Sequence, residues 1–158
     1  MKALSIRGAY IIDIMKGAKT IEYRTWQTPY RGDLLLVSSS NPHVEYQNPA
    51  DGKWYGASMR GLFPLGQAMC VIHLTDCEKH GDEYHWLFDN VRFVKPFPVK
   101  GKLHLYDVEE EPEYIQSFGD LVRIWASEGL IEDDPETAAD LIRINSIEDI
   151  ISFPGSMD

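Results

Sequence analysis

The 158-residue chain is 44% apolar and 25% charged, which is typical of a globular domain and excludes a disordered or fibrous protein. Its formal net charge of −10 argues at first against an RNA or DNA partner. Residues 1–105, however, hold 13 Lys and Arg against 10 Asp and Glu, whereas residues 106–158 hold 2 against 15. The acidity therefore belongs to the last third of the chain, and the charge of the first two thirds is compatible with a nucleic acid partner.

The cysteine count and the apolar runs predict a cellular location. Two cysteines are too few for a disulfide scaffold and are typical of a reducing compartment. No apolar run approaches the roughly 20 residues that cross a bilayer, and the first residues lack the pattern of a signal peptide. We therefore expect a cytoplasmic protein without a membrane partner.

The N-terminal elements are predicted from capping and periodicity. Ser5 is a candidate N-cap for an amphipathic helix of about 11 residues that ends at Gly17. The sequence KTIEYRTW that follows is rich in β-branched and aromatic residues and predicts a strand, with Thr20, Glu22 and Arg24 on one face. After a turn, DLLLVSSS predicts a strand that is buried on both faces.

The middle of the chain combines a long polar stretch with further strands. Residues 38–64 carry Gly, Pro and Asn without obvious structure, and a stretch of this length is usually functional or disordered, although part of it can be helical. Three strands are then predicted, in GQAMCVIHLTDCE, HWLFDNVRFVKPFPV and GKLHLY. One helix and about five short strands indicate a small barrel.

The C-terminal part predicts helices. Six apolar residues lie at helical spacing and should pack on the rest of the molecule: Tyr114, Ile115, Phe118, Leu121, Val122 and Trp125. Gly129 would end this helix. Asp134 and Pro135 form an N-cap and N1 pair for the next helix, and Ser146 with Asp149 resembles a short capping box.

The most informative motif is the string GAKTIEYR at residues 17–24. Lys19 lies at the entrance of the predicted strand, and Glu22 and Arg24 project from one face about 7 Å apart. Two cations and a carboxylate placed in this way can hold a phosphate, while Glu22 accepts a proton from a ribose 2′-hydroxyl. The alternative is a structural Glu-Arg pair on the surface with a solvated lysine.

Aromatic and basic residues alternate in the long polar stretch. Tyr46, Trp54 and Tyr55 lie among Lys53 and Arg60, a combination typical of single-stranded nucleic acid binding. In the alternative interpretation, Trp54 and Tyr55 fill one end of the barrel.

Neither a zinc site nor a cysteine nucleophile is expected. Cys70 and His73 point to opposite faces of one strand, and no Cys-x-x-Cys pair accompanies Cys77 and His80. Cys70 is predicted to be a small core residue, because a Cys-His nucleophile pair has no local signature here. No cofactor is predicted, apart from a divalent ion held by Glu22 together with a phosphate.

The acidic residues of the C-terminal part have two alternative interpretations, one structural and one functional. The Glu109–Glu111 run is favourable at the start of a helix, where carboxylates face the positive end of the dipole. Alternatively, the acidic C-terminal helices mimic nucleic acid and cover a basic cleft, or they contact a protein partner.

Four stretches together resemble an ASCH domain of the PUA-like superfamily: ALSIRGAYIIDIMKGAKTIEYRTW, YRGDLLLVSS, GQAMCVIHLTDC and YHWLFDNVRFVKPFPVKGKLHLY. The first contains the G-x-K-x-x-E-x-R signature of the family as Gly17, Lys19, Glu22 and Arg24. The resemblance implies an α+β fold, a small PUA-like β-barrel of five to six strands flanked by helices. It places the domain at residues 1–107 and leaves 108–158 as an acidic helical extension packed on it.

The resemblance also implies RNA or nucleotide binding in a cleft lined by the signature residues. One branch of the family cleaves single-stranded RNA, and another hydrolyses N4-acylated cytidines with a Lys, a Thr and a Glu. The amidohydrolase threonine stands three residues after the lysine, where this chain has Glu22, and the nearest threonine is Thr20. RNA or a modified nucleoside is thus the expected partner, and Lys19, Glu22 and Thr20 are the candidate catalytic residues. The candidate nucleic-acid-binding residues are Lys19, Arg24, Arg7, Tyr10, Lys53, Trp54 and Tyr55.

Overall fold

The computed structural model describes residues 1–132 and 135–143. In chain order these residues form β1 (Lys2–Ile6), α1 (Gly8–Met15), β2 (Ile21–Arg24), β3 (Gly32–Ser38), β4 (His43–Gln47), β5 (Trp54–Ser58), β6 (Ala68–His80), β7 (Glu83–Val94), β8 (Leu105–Asp107), β9 (Tyr114–Ile115), α2 (Phe118–Ser127) and α3 (Pro135–Arg143). No helix in this part of the chain is both long and apolar enough to span a membrane.

One mixed sheet forms the body of the molecule. Its strands follow the order β2-β7-β6-β3-β1-β8, and β9 pairs with β7 outside this path. β1 and β3 are parallel, and the other neighbours are antiparallel. The predicted α+β class is confirmed, but the sheet has seven strands and forms a half-barrel in place of the small barrel of five to six strands.

The prediction that Ser5 caps the first helix is wrong. Ser5 lies inside β1, which pairs with β3 on one side and β8 on the other, so its backbone belongs to the sheet. The helix begins only at Gly8, and a Cβ built there would lie 2.4 Å from the ring of Phe63. Glycine therefore allows α1 to begin directly against the core. The predicted end at Gly17 is confirmed, with a positive φ of 81° that favours glycine.

The polar stretch at residues 38–64 is a β-hairpin. β4 and β5 pair in antiparallel register with Tyr46 opposite Tyr55. Val44 is buried, and Met59 is buried just after β5. Most side chains of β5 are exposed, so the sequence lacks the alternation that predicts a half-buried strand.

The strand prediction for residues 101–106 is wrong for its first four residues. β8 begins at Leu105, and the preceding residues form a loop. His104 has a φ of 60°, which is incompatible with a strand, and its ring packs edge-on against Trp26 with the centroids 4.7 Å apart. The long strands β6 and β7 are confirmed, and His85 lies in β7 as predicted.

Cys70 lies fully buried on β6, as predicted for a core residue. Burial raises the pKa of its thiol well above the ordinary value, because the thiolate would lose its hydration. A neutral buried thiol is a poor nucleophile and a poor metal ligand. Cys77 is half-buried further along the same strand.

The first C-terminal helix is shorter than predicted. Tyr114 and Ile115 pair with β7 as β9, and α2 starts after Ser117, whose hydroxyl accepts a hydrogen bond from the Asp120 N–H at 3.1 Å. The predicted packing of the apolar stripe is confirmed for Leu121, Val122 and Trp125, which are buried in the main core. Gly129 follows the helix with a φ of 71°.

The second C-terminal helix, α3, begins at Pro135 as predicted. The proposed cap residues Asp134, Ser146 and Asp149 lie outside the described residues. The domain boundary at residue 107 and the role of the acidic extension stay predictions.

Candidate functional site

The signature residues meet around Glu22, a buried carboxylate in the middle of β2. Lys19 Nζ lies 3.5 Å from Glu22 Oε1, and Arg24 Nη2 lies 3.5 Å from Oε2. The Tyr23 backbone N–H donates a hydrogen bond to Oε1 at 3.0 Å. The sequence prediction that two cations and one carboxylate converge is confirmed. Because the residue is only 7% exposed, Glu22 is not part of a solvated surface pair.

Two buried polar atoms of this cluster have no hydrogen-bond partner. Glu22 Oε2 is in ion-pair range of Arg24 but accepts no hydrogen bond from a described residue, and Arg24 Nε donates none. The guanidinium is held from another side, since Nη2 donates to the Ser5 carbonyl at 3.2 Å. A buried polar group without a partner costs about 1–3 kcal/mol. The pair therefore has one acceptor and one donor that the described residues leave unsatisfied.

Glu22 and Arg24 lie in the wall of an open cavity of about 440 Å³, here called the glutamate cavity. Its size is within the range of small-molecule sites. The cavity is lined by Ser5, Ile6, Arg7, Tyr10, Glu22, Tyr23, Arg24, Ser39 and Asn41.

Lys19 stands beside the cavity between two aromatic rings. Its Nζ lies 4.8 Å from the ring centre of Tyr23 and 5.8 Å from that of Tyr10. Both tyrosines are substantially exposed, and Tyr23 also contacts the ring of His85 edge-on at 4.8 Å. The ammonium thus holds the two rings at the cavity wall by cation–π attraction, in addition to pairing with Glu22.

Arg7 supplies a further cation at the cavity. It precedes α1 and has no ion pair with a carboxylate of residues 1–132 or 135–143. Its side chain does not cap the helix. The guanidinium is therefore available to an anionic group in the cavity.

Several predicted site residues lie outside the cavity. Thr20 is exposed and is not one of the lining residues, so the geometry adds no support for a threonine nucleophile. Lys53, Trp54 and Tyr55 lie on the β4–β5 hairpin. Trp54 is 68% exposed, so the interpretation that it fills the end of the barrel is wrong. The hairpin begins two residues after Asn41 and so starts at the cavity rim.

Five lining residues were not predicted from the sequence: Ser5, Ile6, Tyr23, Ser39 and Asn41. Ser39 joins the site because its N–H donates to the Ile6 carbonyl at 2.9 Å, next to β1. The parallel pairing of β1 with β3 was the missing signal, since it places Ser38 opposite Ile6 and so brings Ser39 to the end of β1.

No group of three His, Cys, Asp or Glu side chains in the described part of the chain is placed to hold a metal ion. The described site offers one carboxylate between two cations, a donor set that suits an anionic or polar organic ligand better than a divalent ion.

Comparison with known families identifies one domain family. The model of the ASCH domain matches residues 4–124, most of the chain, and includes the entire Lys19 to Arg24 segment. This protein belongs to the ASCH domain family. The match runs from β1 into α2 and thus past residue 107. No curated protein matches the sequence.

Proposed function

We propose that this protein binds RNA or a nucleotide, with a base in the glutamate cavity. The observation that carries the proposal is the buried pair formed by Glu22 and Arg24, two residues that line the cavity and whose Oε2 and Nε have no hydrogen-bond partner among the described residues. The Watson–Crick edge of a nucleobase presents donors and acceptors side by side. In the proposed complex a single planar base donates a hydrogen bond to Glu22 Oε2 and accepts one from Arg24 Nε.

The surroundings of the pair favour a nucleotide over an uncharged ligand. Tyr10 and Tyr23 offer ring faces at the cavity, on which a base can stack. Arg7 is the natural partner of a phosphate at the mouth, because its guanidinium has no ion pair in the described residues. Lys19 contributes positive potential while it remains paired with Glu22.

The exposed aromatics of the hairpin extend the same surface. Trp54 is 68% exposed and Tyr55 41% exposed, and Lys53 lies directly before them. Stacking of a base on such a side chain contributes about 1–3 kcal/mol and tolerates different sequences. In the proposed function the hairpin binds the neighbouring bases of a single strand.

The test is the affinity of the protein for a fluorescein-labelled RNA hexamer of mixed sequence, measured by fluorescence anisotropy. We expect the Lys19→Ala, Arg24→Ala double variant to lose at least about tenfold in affinity, because the charge-assisted contact of Arg24 alone contributes about 1.5–3 kcal/mol. Affinity should also fall with rising salt, with a slope near −0.7 for each phosphate contact.

A matched control removes two exposed cations that do not line the cavity, in the Lys79→Ala, Arg123→Ala variant. This control should bind within about twofold of the native protein, because only nonspecific attraction changes. Equal loss in both variants, or an affinity that does not depend on salt, would show that the cavity is not the binding site.

The same incubation distinguishes binding from ribonuclease activity. The hexamer is run on a denaturing gel after incubation with native protein and with Glu22→Gln. Cleavage that requires Glu22 would assign this carboxylate as the acceptor of the 2′-hydroxyl proton. An intact hexamer in both lanes would assign binding without cleavage.

A further inference from the structure

A second depression lies beside the glutamate cavity and is here called the lysine cleft. It measures about 600 Å³. It is lined by Ser5, Ser38, Ser39, Ser40, Gly66, Val99, Lys100, Gly101, Lys102 and Leu103. Ser5 and Ser39 line both depressions, so the two adjoin at these residues.

The lysine cleft is positively charged in an otherwise acidic protein. Residues 91–106 contain four Lys and Arg and no Asp or Glu. Lys2 and Lys95, in the same part of the molecule, pair with Asp107 and Glu113. Lys100 and Lys102, by contrast, form no ion pair with a carboxylate in the residues that the structure describes. Their charges are therefore available to an anionic ligand.

The loop that carries these lysines is held in place at both ends. The Val99 N–H donates to the Gly66 carbonyl at 3.0 Å, and the ring of His104 packs on Trp26. In the middle, a Cβ built on Gly101 would lie 2.7 Å from Ser5 Oγ, so only glycine lets the loop approach β1 this closely. The cleft is thus preorganised, which lowers the entropic cost of binding.

Leu103 supplies an apolar contact at the edge of the cleft. It is 89% exposed, the highest value among the large apolar side chains of the described residues that are exposed. Core packing gives no reason for a leucine at this position. An apolar side chain beside two lysines suits a ligand that has both ring faces and phosphates.

We propose that the lysine cleft binds the sugar-phosphate backbone next to the nucleotide in the glutamate cavity, so that the ligand is a single RNA strand and not a free nucleotide. The inference rests on the proposed function, because the base in the glutamate cavity sets the register of the strand. The strand crosses Ser5 and Ser39, and its phosphates pair with Lys100 and Lys102. A positively charged groove that follows the backbone is the usual means of holding single strands.

The experiment compares three probes by calorimetry: a nucleoside monophosphate, the corresponding triphosphate and an RNA hexamer of that nucleotide, for each of the four bases. They are titrated into native protein, the Lys100→Ala, Lys102→Ala double variant and Lys79→Ala, which removes an exposed lysine that lines neither depression. Circular dichroism establishes that each variant is folded.

We expect the native protein to bind the hexamer at least about tenfold more tightly than the monophosphate, because two further phosphate contacts form. The double variant should lose about tenfold in hexamer affinity, the share that the two phosphate contacts supply, and keep its monophosphate affinity. The salt slope for the hexamer should become shallower by about 1.4, the value for two phosphates of a single strand. Lys79→Ala should behave as the native protein does.

Three results overturn the proposal. Hexamer affinity that is unchanged in the folded double variant means that the lysine cleft takes no part, while monophosphate binding still supports the proposed function. Triphosphate binding as tight as hexamer binding means that the cleft holds a polyphosphate and no strand. If none of the three probes binds to the native protein, the proposed function itself is contradicted.

Discussion

Two carboxylate–arginine pairs on the sheet differ in how fully their hydrogen bonds are used. Asp33 on β3 is bound by Arg92 through both terminal nitrogens, at 2.7 and 3.1 Å, and His73 Nδ1 lies 3.2 Å from the same carboxylate. This pair lies in a partly exposed position. Its hydrogen bonds, with Arg92 contributing most, lower the pKa of Asp33 to about 2.

The Glu22–Arg24 pair is more buried but less complete. Its closest approach is 3.5 Å, and each partner keeps a buried atom without a hydrogen bond. Burial of charge is costly unless it is compensated, so a pair of this kind adds little to stability. The fully hydrogen-bonded Asp33–Arg92 pair therefore stabilises the fold, whereas the incomplete Glu22–Arg24 pair lines the cavity in which we propose ligand binding.

The largest expected difference between the two pairs is in RNA affinity. Glu22→Gln should lower the affinity for the RNA hexamer by about 30-fold or more, because a charge-assisted hydrogen bond of about 2 kcal/mol is lost. Asp33→Asn should leave the hexamer affinity within about twofold of that of the native protein. Anisotropy titrations of both variants check this. A comparable loss of affinity in Asp33→Asn would contradict the assignment of RNA binding to the Glu22–Arg24 pair alone.

Replacing the arginine of each pair by lysine should also affect RNA affinity differently in the two pairs, but by a smaller factor. Arg24→Lys keeps the charge but removes the Nε donor, so hexamer affinity should fall by about tenfold. Arg92→Lys breaks the bidentate contact with Asp33 and should lower the free energy of unfolding by about 1 kcal/mol without changing affinity. Urea unfolding and RNA titration of each variant provide the two readouts. An Arg24→Lys protein with native affinity would contradict the assigned role of Nε.

The smallest effect is a difference in acid stability. Because the folded-state pKa of Asp33 is lowered to about 2, its stabilising contribution is complete above its ordinary pKa near 4 and is lost as the pH falls through about 2. Its side chain is 46% exposed, so solvent screening limits the contribution to about 1 kcal/mol or less. Unfolding free energies from pH 7 to about 2 should decline less steeply for Asp33→Asn than for the native protein. Parallel curves for the two proteins would contradict this role of Asp33.

The elements predicted well are those with strong local signals. β3, β6 and β7 are long apolar or β-branched runs, and the stripe of α2 has clear helical spacing. β1 was missed because its five residues precede a helix and resemble a cap sequence; only the pairing with β3 and β8 makes it a strand. The β4–β5 hairpin was missed because a mostly solvated ribbon carries no alternating pattern.

The amino-acid sequence by itself determined the ASCH family and the α+β class, through motifs and patterns spread along the chain. It also determined the group Lys19, Glu22 and Arg24, because this group depends on local spacing around one strand. Only the tertiary structure decided that Glu22 is buried, that its pair is incomplete and that Ser5 and Ser39 lie between two depressions. Burial and unused hydrogen bonds arise from contacts between residues far apart in the chain. Spacing along a single strand does not contain that information, since it gives the direction of a side chain but not what covers it.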